Sequence, residues 1–542
     1  MTTLTTGQAV VKSLLAHGVD TMFGIPGAHM YDFNDALYEH KDNLKFIVTR
    51  HEQGAGYMAY GYAKSTGKVG TYTVVPGPGM LNSSAALCTA YGATTPVLCI
   101  TGNIMSHLIG QGRGQLHELP DQLATMRGFT KWAERINNPT EAPGVVAEAF
   151  RQLRSGRIRP VAIEAPWDVY GMQDDVDLDV SITVPPPPEA DPDAIAQAVK
   201  VIRRAKNPLI TVGAGALHAG EEVLELAKLL QAPVTAHRSG KGIVSEDSPY
   251  GMSFAAAFEY WKNSDVLIGI GSRLELQHFR WRWLPKGIKV VRLDIDPGEM
   301  LRVQPDVGIV ADSATGTRAL VAALSKRIGS RDSREDEFQD IKAKARLAIQ
   351  VVQPQMDYLN VIRDVLPHDG FFVEEISQVG FAARYGFPVY APRQYVTCGY
   401  QDNLGFGFNT ALGVKVANPD KPVVAICGDG GFMFGVQELA TAVQHGINLV
   451  TIVFNNQGFG NVRRDQNTLY EGRLIGADLK NPDFVKLAES FGALGYRVTS
   501  ATELKPILEK ALKDDAPVII EVTVDRDSEV SPWAFINPEI PQ

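Results

Sequence analysis

Between Gly428 and Gly458 the chain reads GDGGFMFGVQELATAVQHGINLVTIVFNNQG. An apolar run, 423–427, ends in Gly428-Asp429-Gly430-Gly431, and a helix-like segment follows. A second apolar run, 449–454, then ends in Asn455-Asn456. This is the pattern of a βαβ unit with a carboxylate after its first strand and an amide after its second. Parallel neighbours bring both strand ends to one edge of a sheet, where open α/β sheets bind ligands. Asp429 and Asn456 then offer oxygens to one hard cation. Mg²⁺ suits such a site, because it takes few protein oxygens and completes its octahedron with phosphate and water. The glycines at 428, 430 and 431 let backbone N–H groups approach a diphosphate at a helix N-terminus.

The 542-residue chain has the length of about three or four ordinary domains. It is 45% hydrophobic and 21% charged, as in a soluble globular protein, and its net charge of −9 gives no sign of a nucleic-acid partner. Cys88, Cys99, Cys398 and Cys427 have no CxxC spacing; Cys99 and Cys427 lie in apolar runs and read as core. A reduced, cytoplasmic protein fits. There is no signal-peptide pattern and no apolar run long enough for a membrane span.

Pro185-Pro186-Pro187-Pro188, with acidic residues around it from Asp174 to Asp193, reads as a linker. The polar stretch 330–337 marks a second boundary, near 325–355. Three segments result: 1–180, 190–325 and 355–542. Each alternates short apolar runs with helical patterns, which predicts three doubly wound α/β domains with parallel sheets. Sequence alone does not show whether the first and third are structural duplicates.

In the first segment, Arg50-His51-Glu52-Gln53-Gly54-Ala55-Gly56 follows an apolar run and opens a helix. Phe23-Gly24-Ile25-Pro26-Gly27 lies upstream, and Val75-Pro76-Gly77-Pro78-Gly79 with Asn82 downstream. With GDG followed 27 residues later by the second asparagine of NN, these pieces resemble thiamine diphosphate-dependent enzymes of the acetolactate synthase type. The resemblance covers the whole chain as pyrimidine-binding, central and diphosphate-binding domains. It implies Mg²⁺ held by Asp429, Asn456 and the Gly458 carbonyl. It also implies that Glu52 is catalytic, a carboxylic acid sharing a proton with the cofactor's aminopyrimidine. Without the metal motif, Glu52 would read only as a charge favouring a helix N-terminus.

The resemblance further assigns cofactor contacts to Pro26, Asn82, Asp402, Leu404, Gly428, Gly430, Gly431, Asn456, Gly458 and Val462. Leu404 matches the large apolar residue beneath the bent cofactor. Asp402 supplies a backbone carbonyl, and Ile376-Ser377-Gln378 loosely matches a diphosphate contact. In that family the two cofactor-binding domains of one site come from different subunits, so a homodimer or homotetramer is implied.

Gly213-Ala214-Gly215 follows a strand in the central segment but lacks the third glycine of a dinucleotide fingerprint. Gly271-Ser272-Arg273 resembles the arginine-bearing turn of FAD-binding members. Ser253-Phe254-Ala255-Ala256-Ala257 stands where those members carry Met-His-Gly. FAD, ADP and no ligand all stay open.

The substrate side departs from the biosynthetic enzyme. Val462 matches its pattern; Asn461 and Asp465 stand where it has methionine and tryptophan, and Trp167 stands where it has lysine. His29, Gln115 and His117 are the candidates to replace the lost catalytic groups. There is no His-His pair like that of pyruvate decarboxylases, which argues against that assignment. The tail 530–535 reads either as a lid or as a packed terminus. The expected activity is decarboxylation of a 2-oxo acid with ligation to a second carbonyl, as in acetolactate synthase. The alternatives are a 2-oxo acid decarboxylase or a C–C lyase, and a non-catalytic thiamine diphosphate-binding homologue.

Overall fold

The computed structural model describes residues 1–180 and 182–540. Ser181, inside the expected linker, and residues 541–542, at the end of the third expected segment, lie outside these.

The alternating pattern folds into three six-stranded sheets, and every pairing within them is parallel. Helices cover both faces, so strands such as Val450–Asn455 are buried on every residue. The expected doubly wound α/β class is the one observed. The first sheet runs from Thr21–Gly24 to Val161–Pro166, the central one from Pro208–Val212 to Val307–Val310, and the third from Phe371–Val373 to Val518–Thr523. Numbered along the chain within each sheet, the first and third share the order 2-1-3-4-6-5. They are built alike, which the sequence did not reveal. The central sheet has the order 3-2-1-4-5-6, that of dinucleotide-binding folds.

Local structure differs from the sequence reading in three places. Gln173–Val176 is a strand paired antiparallel with Thr2–Thr5, so the acidic stretch is structured at its start. Val176 is buried there, and Thr3 Oγ1 donates to Asp175 at 2.7 Å. The polar stretch near 330–337 opens a helix, Glu335–Ala348. Its acidic first turn suits the helix dipole, and Phe338 is buried against Tyr250 and Tyr260.

The third difference is the helix expected after Gly428. It is broken into Asp429–Phe432, a 3₁₀ turn at Val436–Glu438, and Leu439–His445. Gly430, Gly431 and Gly435 weaken a continuous helix, and Glu438 is used elsewhere. Its buried carboxylate accepts from the backbone N–H of Arg50 at 3.1 Å and of His51 at 2.9 Å. These amides lead into the helix Glu52–Thr66 of the first domain. Gly54 is small because a Cβ there would lie 2.5 Å from Glu438 Oε1.

The same helix lies against Gly407–Ala417 of the third domain. A Cβ on Gly61 would strike the carbonyl oxygen of Thr410, and one on Gly413 would strike that of Met58. Tyr57 and Tyr60 meet Phe406 edge-on across this seam, so one buried apolar cluster spans both domains. Cys99, Cys398 and Cys427 are buried thiols, as expected for Cys99 and Cys427, and Cys88 is exposed. No helix among the described residues is long and apolar enough to cross a membrane.

Gly61→Ala forces the seam apart, and overpacking of this kind costs about 1–3 kcal/mol. The expected result is a lower thermal midpoint, read by circular dichroism, whereas the exposed helical Gly144→Ala, the control, should hold or raise it.

Candidate active site

Asp429 follows the strand Val423–Gly428 and is 2% exposed. Its Oδ1 accepts from Gly430 N at 2.8 Å. Its Oδ2 accepts from Gly458 N at 3.2 Å and Asn481 Nδ2 at 2.6 Å. Burial raises its pKa against these hydrogen bonds. Asn455, the first of the asparagine pair, is consumed structurally: it accepts from Asn481 at 2.9 Å and donates to Glu521 at 2.7 Å. Asn456 is different. Its Nδ2 donates to Glu529 Oε2 at 2.7 Å, and its buried Oδ1 has no partner.

These groups surround a cavity of about 240 Å³. It lies at the switch point of the third sheet, between Phe371–Val373 and Val423–Gly428. All of the third-domain residues expected to touch the cofactor line it: Asp402, Leu404, Gly428, Asp429, Gly430 and Gly431, with Asn456, Gly458 and Val462. Ile376, Ser377 and Gln378 line it too. An adjoining cavity of about 270 Å³ shares Gln378, Asn456, Gly458 and Glu529 and adds Arg463, Arg464 and Arg526.

The residues fit a divalent cation carrying a diphosphate. One buried carboxylate and one orphaned amide oxygen face the cavity, beside backbone with no room for side chains. A Cβ on Gly431 would lie 2.6 Å from Glu375 Oε1, and one on Gly430 would strike Phe459. Among the described residues no group of three or more His, Cys, Asp and Glu side chains forms a metal cage. Few protein oxygens are what Mg²⁺ prefers.

Asp402 has the left-handed φ of 45°. Burial alone would raise the pKa of its carboxyl, but Arg384 at 2.7 Å and Arg238 at 2.8 Å hold it below its ordinary value. With the side chain so anchored, the backbone beside Leu404 is fixed.

The first-domain candidates gather at the matching edge of the first sheet. Glu52 is the first residue of its helix, which His51 Nδ1 caps by accepting from Gln53 N at 3.1 Å. Glu52 Oε2 accepts from Asn82 Nδ2 at 3.0 Å. Because His51 is the non-helical cap, its Nδ1 lies 4.0 Å from Glu52 Oε2, so these neighbours do not point apart as adjacent residues in a helix would. Pro26 is exposed just beyond Thr21–Gly24.

His29 is 3% exposed and His117 half-buried; their ring centroids are 5.2 Å apart. Trp167 packs edge-on against His29 at 4.9 Å. Nδ1 of each histidine is buried without a partner. Burial, then the charge of His117, lowers the His29 pKa. Two of the candidate residues therefore meet in space, a contact that the 88 residues between them hid from the sequence. Gln115 is exposed; its backbone N–H donates to Glu118 Oε2 at 2.8 Å and its carbonyl accepts from Glu118 N at 3.0 Å.

None of these first-domain residues lines the third-domain cavity of the same chain. The contacts of Glu52–Thr66 through Glu438, Gly61 and Gly413 fix that separation.

Matches along the chain name the family. The thiamine pyrophosphate enzyme N-terminal TPP-binding domain matches residues 4–125, the central domain 195–320, and the C-terminal TPP-binding domain 375–522. The chain is a thiamine diphosphate-dependent enzyme of the acetolactate synthase-like family. It is 34% identical over 549 residues to a probable acetolactate synthase large subunit of Methanocaldococcus jannaschii, covering 96% of this chain and 91% of that one. It is 32% identical over 561 residues to the acetolactate synthase large subunit of Haemophilus influenzae, covering 98% and 96%. It is 31% identical over 528 residues to a probable 2-ketoarginine decarboxylase of Pseudomonas aeruginosa, covering 96% and 94%.

Several site residues of this enzyme escaped sequence reasoning. Asn481 lies in an irregular segment with no periodicity to mark it. Glu375 is buried beneath Gly431, where desolvation pushes its pKa up to about 7. Glu529 just precedes the tail motif. The tail itself is packed: Phe535 meets Tyr385, Ile536 is buried, and Trp533 lies 5.0 Å from Phe381. Trp533 Nε1 donates to Asn461 Oδ1 at 2.7 Å. Asn461, in the helix Gly460–Leu469 that also carries Asp465, thus anchors a tryptophan from the tail.

The central sheet has its own cavity of about 410 Å³ at its switch point. Gly213, Gly215 and Gly271 press backbone to backbone there, and the Arg273 guanidinium stacks 4.7 Å from the Tyr400 ring.

Asn481→Ala frees the Asp429 carboxylate to turn. Losing a group that orients a metal-binding carboxylate costs about 10–100-fold in metal affinity. Mn²⁺ titration with thiamine diphosphate present checks this, and unchanged affinity would show that Asn481 does not hold Asp429.

Proposed function

We propose that this enzyme uses thiamine diphosphate and Mg²⁺ to decarboxylate a 2-oxo acid and ligate the remaining fragment to a second carbonyl, as its acetolactate synthase relatives are named for. The observation that carries this is the switch-point cavity, where Asp429, the orphaned Asn456 oxygen and Gly458 converge beside Leu404. When bound, thiamine diphosphate supplies a carbon nucleophile and an electron sink for cleaving the bond beside a carbonyl.

The chain's own residues divide the remaining work. Asp429, Asn456 and the Gly458 carbonyl would hold the cation, and Ser377, Gln378, Gly430 and Gly431 would border the diphosphate. Leu404 would support the bend of the bound cofactor, with Asp402 fixing the backbone beside it. Glu52, oriented by Asn82, would move a proton at the aminopyrimidine. Val462 and Phe381 would wall the substrate side.

Glu52, Pro26, Asn82, His29, Gln115 and His117 line no part of the cavity in their own chain. We therefore assign one complete site to two copies, in a homodimer or homotetramer. Leu469 at the end of the cavity helix, and Tyr470 and Ile475 in the loop beyond it, are exposed and suit such an interface. Co-expressing Glu52→Gln with Asp429→Asn should give mixed assemblies with activity that neither variant has alone. A mixture as inactive as its parts would sink the shared site.

The His29–His117 contact favours a second reading, simple decarboxylation. The imidazole pair would offer a proton donor for the reacting carbon after CO₂ leaves, which would release an aldehyde. Gln115 is the weaker candidate for that role. NMR of products formed from pyruvate, Mg²⁺ and thiamine diphosphate separates the readings. Acetolactate or acetoin supports ligation, and acetaldehyde alone supports decarboxylation. His29→Ala should shift the product ratio toward ligation if the pair delivers protons. Failure to consume pyruvate moves the search to 2-oxo acids with longer or charged side chains, the class named by the 2-ketoarginine relative.

The central cavity suits a nucleotide such as FAD. A flavin spectrum in the purified enzyme tests that assignment, and a colourless protein that releases ADP on denaturation would replace FAD with ADP.

A further inference from the structure

The carboxamide of Asn456 has two ends, and only its oxygen can serve a cation. A side-chain amide free to rotate offers its NH₂ end as readily. Here that end is occupied: Nδ2 donates to Glu529 Oε2 at 2.7 Å, and Oδ1 is left buried and unpartnered in the cavity that Asp429 also lines. Among the described residues Asn456 is the group that donates to the Glu529 carboxyl.

Glu529 does not belong to the sheet. It sits on the C-terminal tail beyond the strand Val518–Thr523. The tail is held at several points on either side of it. Val530 N donates to Gln353 O at 2.9 Å, and Gln355 Nε2 donates to Val530 O at 2.7 Å. Arg464 donates to Ser531 Oγ at 3.0 Å, and Trp533 is tied to Asn461 at 2.7 Å. Arg526 reaches back to Gln457 O at 2.7 Å, beside the asparagine itself.

We propose that Glu529 is a positioning residue for the metal site: by holding the NH₂ end of Asn456 it presents the amide oxygen to the cation, so that docking of the C-terminal tail and metal binding favour each other. This rests on the assignment of the cation to Asp429 and Asn456. The coupling is reciprocal, because whatever the docked tail adds to metal affinity, bound metal returns to tail docking. The same tail touches the cavity helix through Asn461, so an enzyme without metal would also hold its substrate wall less firmly.

The test is Mn²⁺ binding by electron paramagnetic resonance, with thiamine diphosphate present and the full chain. Glu529→Ala should weaken Mn²⁺ by about 10–100-fold, the range for loss of an outer-shell partner. Glu529→Gln, whose amide oxygen still accepts from Asn456, should stay close to the parent. Equal affinity in Glu529→Ala would overturn the proposal. Tighter binding would overturn it too, since the carboxylate would then be competing for the site. Asp429→Asn is the control: if it binds Mn²⁺ normally, the metal assignment itself has failed, not the role of Glu529. A measurement on the unaltered enzyme stands beside these. Hydrogen exchange of residues 526–536 should slow when Mn²⁺ and thiamine diphosphate are added together, and unchanged exchange there would refute the coupling.

Discussion

The close approach of Glu52–Thr66 to Gly407–Ala417 governs this molecule. Two helices meet with no space for a Cβ at Gly61 or Gly413, and Glu438 reaches across to satisfy the amides of Arg50 and His51. A buried carboxylate that lost those donors would bear a desolvation cost of about 1–3 kcal/mol, so the seam has little freedom to slide. Fixing it fixes where Glu52 stands. The same contact that stabilises the chain keeps Glu52 away from Asp429 and Asn456 of its own chain, which is why the proposed site is assigned to two copies.

Much of this was legible in the letters. Strand runs such as 423–427 and 449–454 fell where strands are found, because parallel strands buried on both faces leave long apolar signatures. The glycines at 430 and 431 were meaningful because close backbone approach admits nothing larger. What the letters hid has a common cause. The His29–His117 contact, the bond from Asn481 to Asp429 and the bond from Glu529 to Asn456 join segments far apart in sequence. None leaves a periodic trace. The broken helix after Gly428 was misread because Glu438 follows a tertiary demand that local propensity does not record.

Asn461 fits no apolar pattern, yet its side-chain oxygen accepts from the Trp533 indole of the tail. A departure at one position was intelligible only with its partner 72 residues away.

The first and third sheets share one strand order, and the helices that meet at the seam each follow the second strand of their sheet. The contact is therefore like with like, the isologous arrangement that a two-fold axis produces between identical subunits. One polypeptide carries what resembles a fused pair. Such an interface is self-complementary by construction. A fragment ending after the first domain would be left with a bare glycine-lined helix whose natural counterpart is the helix at the equivalent place in the third domain. Truncated chains would thus tend to pair with one another, or to insert into the seam of intact ones, instead of persisting as isolated domains.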